Sequence, residues 1–89
     1  MVEKSITVMN KSGLHARPAS ILVQTALKYP CSIQIFKADK PCNAKSILDV
    51  LKACITAGTE IRLVCDGEQE QQALDTLCAE IEAGLGEQK

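Results

Sequence analysis

The segment TEIRLVC, Thr59 to Cys65, has the clearest secondary-structure pattern in the chain. Apolar residues occupy every second position, which places three side chains on the same side of a predicted β-strand: Ile61, Leu63 and Cys65. A strand with one apolar face is typical of a sheet that is covered on one side and open to water on the other. The flanking segments therefore have to supply neighbouring strands and a covering layer.

Three further segments have strand-like patterns. In VEKSITV and CSIQIF the apolar residues alternate with polar ones, which predicts one buried face in each: Val2, Ile6 and Val8 in the first, and Cys31, Ile33 and Ile35 in the second. The short segment PCN, residues 41–43, follows the polar turn KADK. Its proline predicts an edge strand, because proline has no backbone N–H to donate to a neighbour.

Three segments have the 3.6-residue periodicity of amphipathic helices. They span residues 16–28, residues 46 to about 54, and EQQALDTLCAEIEAGLG, in which Gly84 is the predicted end of the helix. Their apolar faces consist of Ala19, Leu22, Val23 and Ala26, then Ile47, Leu48, Leu51 and Cys54, and finally Leu74, Leu77, Cys78 and Ile81. The residues thus predict a single α+β domain, 1–89, an open-faced two-layer sandwich whose antiparallel or mixed sheet is covered on one face by helices.

The composition excludes several classes of function. The 10 basic and 11 acidic residues form no basic run and aromatic residues make up 2% of the chain, so we expect no nucleic-acid binding. No apolar run approaches the roughly 20 residues of a membrane span, and the N-terminus lacks the apolar stretch of a signal peptide. We therefore expect a cytoplasmic protein without direct membrane insertion.

The five cysteines are odd in number, widely spaced and without a C-x-x-C pair, which predicts neither a disulfide scaffold nor a metal site. Four of them lie on the apolar periodicities, where reduced cysteine packs as a small apolar residue: Cys31, Cys54, Cys65 and Cys78. A redox role is the alternative interpretation of the cysteines. Cys42 lies on no such periodicity, and we expect it to be exposed.

The segment GLHARPAS, Gly13 to Ser20, contains the only histidine, His15, immediately before the first predicted helix. The first turn of a helix has N–H groups without intrahelical acceptors and a positive dipole end, and both favour an anion. Arg17 adds a guanidinium that can bind phosphate oxygens in bidentate fashion. The positive field also opposes protonation of the imidazole, whose reference pKa is about 6.5, so a nucleophilic nitrogen stays available.

This arrangement predicts a site that accepts and donates a phosphoryl group. It has no second acid, general base or metal cluster, so it does not form a complete enzyme. On the residues alone, a second interpretation stays open, in which His15 is a helix cap or solvated side chain and Arg17 is a surface charge.

The same segment resembles the active-site segment of HPr, the histidine-containing phosphocarrier of the bacterial phosphoenolpyruvate-dependent sugar phosphotransferase system (PTS). NAKSI, residues 43–47, resembles the second signature of that family, and GLGE, residues 84–87, is similar to the ending of HPr proteins from low-GC Gram-positive bacteria. The resemblance covers essentially the full chain. It implies the order βαββαβα, with a four-stranded antiparallel sheet covered on one face by three helices.

The resemblance also implies roles for individual residues. His15 would accept phosphate on Nδ1 from phosphorylated Enzyme I and pass it to sugar-specific IIA proteins, without a cofactor. Arg17 would neutralise the phosphoryl charge, and the amides of Ala16 and Arg17 would bind it. A docking surface for both partners would consist of four apolar residues: Leu14, Ile47, Leu48 and Leu51. Because the last three also form the apolar face of a short helix, we expect some of them to pack inward.

Ser46 precedes the second predicted helix, where serine is a common N-cap. The resemblance implies that HPr kinase/phosphorylase phosphorylates Ser46, which slows transfer through His15 and promotes binding to the regulator CcpA. The chain departs from this pattern at Asp49, where many relatives have glycine, and at residues 52–54, where they have SLG. Asp49 can complete a capping box with Ser46, and it would repel a phosphoserine, an effect that Lys45 and Lys52 would partly offset.

Three hypotheses follow. The first is a phosphocarrier that is a substrate of other enzymes and not itself an enzyme. The second is a regulatory adaptor of the same fold that acts through Ser46; relatives of that kind lack the histidine, so His15 argues against it. The third is a small phosphohistidine enzyme such as a phosphatase or mutase, which the missing acid and base groups argue against.

Overall fold

Four strands and three helices follow one another in the order βαββαβα, in a computed structural model that describes residues 1–9, 13–14 and 16–85. The elements are β1 (Val2–Thr7), α1 (Ala16–Ala26), β2 (Ser32–Lys37), β3 (Lys40–Asn43), α2 (Ile47–Lys52), β4 (Glu60–Asp66) and α3 (Glu70–Glu82). The order confirms the prediction from the sequence. The helices α1 and α2 end earlier than the periodicity indicated, by about two residues each.

The strands form a single antiparallel sheet with the spatial order β1-β4-β2-β3. The segment TEIRLVC supplies β4, which pairs with β1 on one side and with β2 on the other. The register places Ile61 opposite Ile6, so that the apolar faces of the two strands coincide. Of the strands described, the short strand β3 neighbours β2 alone, and Pro41 therefore lies on an edge strand as predicted.

The core lies between the inner face of the sheet and the helices. The predicted inward residues of β2 and β4 are all buried, as are the predicted faces of α1 and α3. Thr25 is also buried on α1, and its hydroxyl donates to the Glu80 carboxylate on α3, at 2.7 Å from Oε1. This bond and the apolar packing hold α1 in a defined position over the sheet.

Helix α3 ends at a glycine, as predicted. Gly84 has φ +89°, a conformation that L side chains rarely adopt. Its N–H donates to Ile81 O at 3.1 Å, and the N–H of Leu85 donates to Glu80 O at 2.9 Å. This pair of bonds is a Schellman motif, which satisfies carbonyls that the last turn of a helix leaves without partners.

The predictions for two of the cysteines are wrong. Cys42 is buried, because it lies on the inner face of β3 opposite Ile35, and a four-residue strand is too short to show its alternation in the sequence. Cys54 is exposed, because α2 ends before it and its φ of +52° takes it off the helical periodicity. Burial raises the pKa of the Cys42 thiol and raises that of Cys65 to about 11, so both are protonated at neutral pH.

The short helix α2 also packs differently from the expectation. Its buried residue is Val50, which the helical pattern did not single out. Ile47, Leu48 and Leu51 are all exposed, with 37%, 64% and 38% of their surface accessible. A helix of six residues with apolar side chains on most of its surface has no unique apolar face, so contacts with the rest of the fold decide which side is buried.

Candidate phosphorylation site

Helix α1 begins directly after the position of the only histidine. His15 itself lies outside the described residues, so its predicted role stays a prediction. Arg17 and Pro18 occupy the first turn of α1, where the guanidinium of Arg17 is exposed and the proline ring is buried. Proline fits this turn because its missing N–H would have had no acceptor in the helix. The N–H groups of Ala16 and Arg17 belong to the same turn and also lack intrahelical acceptors.

The segment before His15 is held against the chain that connects α2 to β4. The N–H of Leu14 donates to Ile55 O at 2.8 Å. Gly13 has φ +60°, and a Cβ at this position would collide with Ile55 O and lie 2.7 Å from the Cα of Thr56. Only glycine fits both the backbone conformation and the close approach. This role of Gly13 was not predicted from the sequence, although a glycine two residues before a candidate nucleophile is the signal that points to it.

The structure corrects the expectation for Leu14. Its side chain is 2% exposed and belongs to the hydrophobic core, so it is not available for direct contact with a partner. The other three residues of the expected surface are exposed on α2, and we call them the α2 patch: Ile47, Leu48 and Leu51. Helix α2 packs against α1, so the α2 patch and Arg17 lie on two helices that contact each other.

Comparison with known proteins connects this geometry to a family. The chain matches the family described as "PTS HPr component phosphorylation site" over residues 2–83. It belongs to the HPr family. Other members of this phosphocarrier family have the name phosphocarrier protein HPr and are 38–40% identical to this chain.

Individual HPr relatives are similar over the whole fold. The HPr-like protein Crh of Halalkalibacterium halodurans is 44% identical over 82 residues, which cover 92% of this chain and 98% of that protein. The crystal structure of HPr-C-His from Thermoanaerobacter tengcongensis superposes with a TM-score of 0.97 at 39% identity, covering 100% of both chains. The multiphosphoryl transfer protein of Haemophilus influenzae is 39% identical over 97% of this chain, which spans 18% of the length of that protein.

The second HPr signature forms the N-terminal end of α2. Ser46 is the N-cap, as predicted, and its Oγ accepts a hydrogen bond from the N–H of Asp49 at 3.4 Å. The reciprocal half of the predicted capping box is absent, because Asp49 Oδ2 accepts from the N–H of Asn43 and the N–H of Ser46 donates to Asn43 O. The Asp49 carboxylate is thus held in the turn that contains Ser46, where it adds a negative charge.

The lysine next to Ser46 is engaged elsewhere. Lys45 Nζ donates to Tyr29 O at 2.6 Å, so its ammonium group binds the loop that follows α1. Within the described ranges, no group of three or more His, Cys, Asp and Glu side chains could hold a metal ion. None of the helices described is long and apolar enough to cross a membrane.

Proposed function

We propose that this chain is a phosphocarrier of the sugar phosphotransferase system, which accepts a phosphoryl group on Nδ1 of His15 from phosphorylated Enzyme I and passes it to sugar-specific IIA proteins. The observation that carries the proposal is the family match over residues 2–83, which contains GLHARPAS with the only histidine of the chain. The position of that segment at the beginning of α1 supports it, because a helix N-terminus stabilises phosphate.

The transfer requires little chemistry from the chain itself. The lone pair of Nδ1 attacks phosphorus, the N–P bond forms, and the bond from phosphorus to Enzyme I breaks; the transfer to a IIA protein repeats the exchange with His15 as leaving group. The exposed guanidinium of Arg17 and the N–H groups of Ala16 and Arg17 would balance the added charge. The α2 patch would supply the apolar contact for both partners, since exposed apolar residues on one face are typical of an interaction surface.

We also propose that Ser46 is a weak substrate for HPr kinase/phosphorylase. A phosphate on Ser46 would lie near the Asp49 carboxylate and be repelled by it. The ammonium group of Lys45 already binds Tyr29 O, so it is not placed to neutralise the phosphate. Both features oppose a second negative charge at this helix end. CcpA binding would then contribute less to the function of this chain than phosphoryl transfer through His15.

The proposal is tested by intact-protein mass spectrometry after incubation with Enzyme I and phosphoenolpyruvate. We expect one phosphate adduct that brief acid treatment removes, as phosphohistidine is acid-labile. An active control carrier in the same reaction shows that Enzyme I is functional. If the control is labelled and this chain is not, the carrier function is wrong, and the adaptor hypothesis through Ser46 takes its place.

Replacing Arg17 with alanine should slow phosphoryl transfer by about 100- to 1000-fold, which is the usual effect of removing a group that stabilises developing charge. The free energy of unfolding should change little, because the Arg17 side chain is exposed. Quench-flow measurement of transfer from Enzyme I gives the rate. Lys28→Ala, an exposed cation beyond the other end of α1, is the matched control. Equal rates in the two variants would show that Arg17 does not bind the phosphoryl group.

A further inference from the structure

A groove lies between the β2–β3 hairpin and the C-terminal end of α2, formed by residues that do not belong to the phosphorylation segment. Its volume is about 620 Å³, within the range of small-molecule binding sites. One part of its lining is neutral and consists of Ala38, Pro41, Cys42 and Ala53, with Cys54 beside them. The other part is charged and consists of Lys37, Lys40, Lys52 and Asp49.

The neutral wall suits the apolar part of a ligand. Pro41 and Ala38 contribute carbon atoms from the hairpin, and Ala53 contributes them from the end of α2. Cys42 is buried, and its burial together with the nearby Asp49 carboxylate raises the pKa of its thiol. The thiol is therefore uncharged at neutral pH and packs as a small apolar group.

The charges around the wall are predominantly positive, with three ammonium groups against one carboxylate. Lys37 Nζ is fixed by bonds of 3.0 Å each to Ala53 O and Cys54 O, and it offsets the partial negative charge at the C-terminal end of α2. Lys40 and Lys52 are exposed, and in the part of the chain that the structure describes neither side-chain ammonium group forms a hydrogen bond or an ion pair. Their ammonium groups are thus available to a ligand.

We propose that this groove binds a small organic anion, with an apolar body against the neutral wall and a phosphate or carboxylate group at Lys40 and Lys52. Charge complementarity selects the anionic group, and the neutral wall selects the apolar body. The concave shape of the groove fits a compact molecule better than an extended acidic polypeptide, which requires a longer binding groove. The site would be independent of His15, because the groove lies on the side of α2 that faces β3, whereas the phosphorylation segment belongs to α1.

The test is an NMR titration of the 15N-labelled protein with phenyl phosphate, without Enzyme I or phosphoenolpyruvate. Saturable shifts are expected for the amides of Ala38, Cys42 and Ala53. Phenol and inorganic phosphate serve as probes for the two halves of the ligand, and each should bind more weakly than phenyl phosphate. Because no phosphoryl donor is present, the result does not depend on the proposed carrier function.

Matched variants test the role of the lysines. Lys40→Gln and Lys52→Gln should each weaken phenyl phosphate binding by about fivefold at low ionic strength, the effect of one water-screened charge pair at about 4 Å. Lys28→Gln removes the same charge at the far end of α1 and should leave the affinity unchanged. Circular dichroism confirms that each variant is folded.

Several results would overturn the proposal. Shifts that do not saturate, or that centre on Arg17 instead of the groove, would show that the groove does not hold the anion. An equal loss of affinity in Lys28→Gln would show only a general effect of net charge. Binding of a polyglutamate peptide at the groove without binding of phenyl phosphate would assign it to an acidic polypeptide.

Discussion

His15→Ala should give no phosphate adduct after incubation with Enzyme I and phosphoenolpyruvate, under conditions in which the unmodified chain is fully labelled. The loss is expected to be complete because the imidazole nitrogen accepts the phosphoryl group, and the methyl side chain of alanine has no lone pair that could take its place. Intact-protein mass spectrometry measures the adduct directly, and the presence of a single histidine makes the assignment unambiguous.

Two controls separate this result from damage to the fold or from labelling elsewhere. The midpoint of urea unfolding should be close to that of the unmodified chain, because a phosphoryl acceptor has to lie at the surface and surface substitutions typically change stability by less than about 0.5 kcal/mol. Ser46→Ala removes the other candidate for phosphorylation and should keep the adduct. If His15→Ala is still labelled, the proposed acceptor is wrong.

Gly13→Ala should destabilise the fold and slow phosphoryl transfer together. The alanine would have to adopt φ +60°, which costs about 1–2 kcal/mol, and its Cβ would lie 2.7 Å from the backbone of Thr56. Since the neighbouring atoms belong to the backbone, the segment has to move away, and we expect a total loss of about 2–4 kcal/mol. The movement would also displace His15, which is two residues further along the chain.

Gly58→Ala is the matched control for this prediction. Gly58 also has a positive φ, +87°, but among the described residues other than its two chain neighbours no heavy atom lies within 4 Å of the Cβ that would be added there. The Gly58→Ala variant should therefore lose only the free energy of unfolding that the strained backbone conformation costs, and its phosphoryl transfer through His15 should stay fast. Urea unfolding gives the stability of both variants, and quench-flow gives the rates. Equal destabilisation by the two substitutions would show that the contact of Gly13 with Thr56 is unimportant.

The parts of the fold that follow a long, regular pattern could be predicted from the sequence. The alternation in TEIRLVC identified the central strand, and the periodicity of α1 and α3 identified their buried faces, because each pattern repeats several times. The short elements could not be predicted in the same way. The α2 patch is exposed while Val50 is buried, and Cys42 and Cys54 exchange their expected environments, since a six-residue helix and a four-residue strand contain too few residues to define a face.

The roles of His15 and Arg17 are predictions from residue chemistry and from the resemblance to HPr, and the family match supports that resemblance. The burial of Leu14 and the requirement for Gly13 depend on the backbone of Ile55 and Thr56, about forty residues away in the sequence. No local pattern reports such a contact, because it is created when distant segments pack together.

The central position of β4 has a consequence for how the chain acquires its structure during synthesis. Among the described residues β1 pairs with β4 alone, and β4 is the sixth of their seven elements in chain order. The segment before His15 likewise lies on Ile55, in the connection that leads to β4. A nascent chain that ends before Glu60 therefore leaves β1 without a neighbour, and the phosphorylation segment reaches its final position only when most of the polypeptide has left the ribosome.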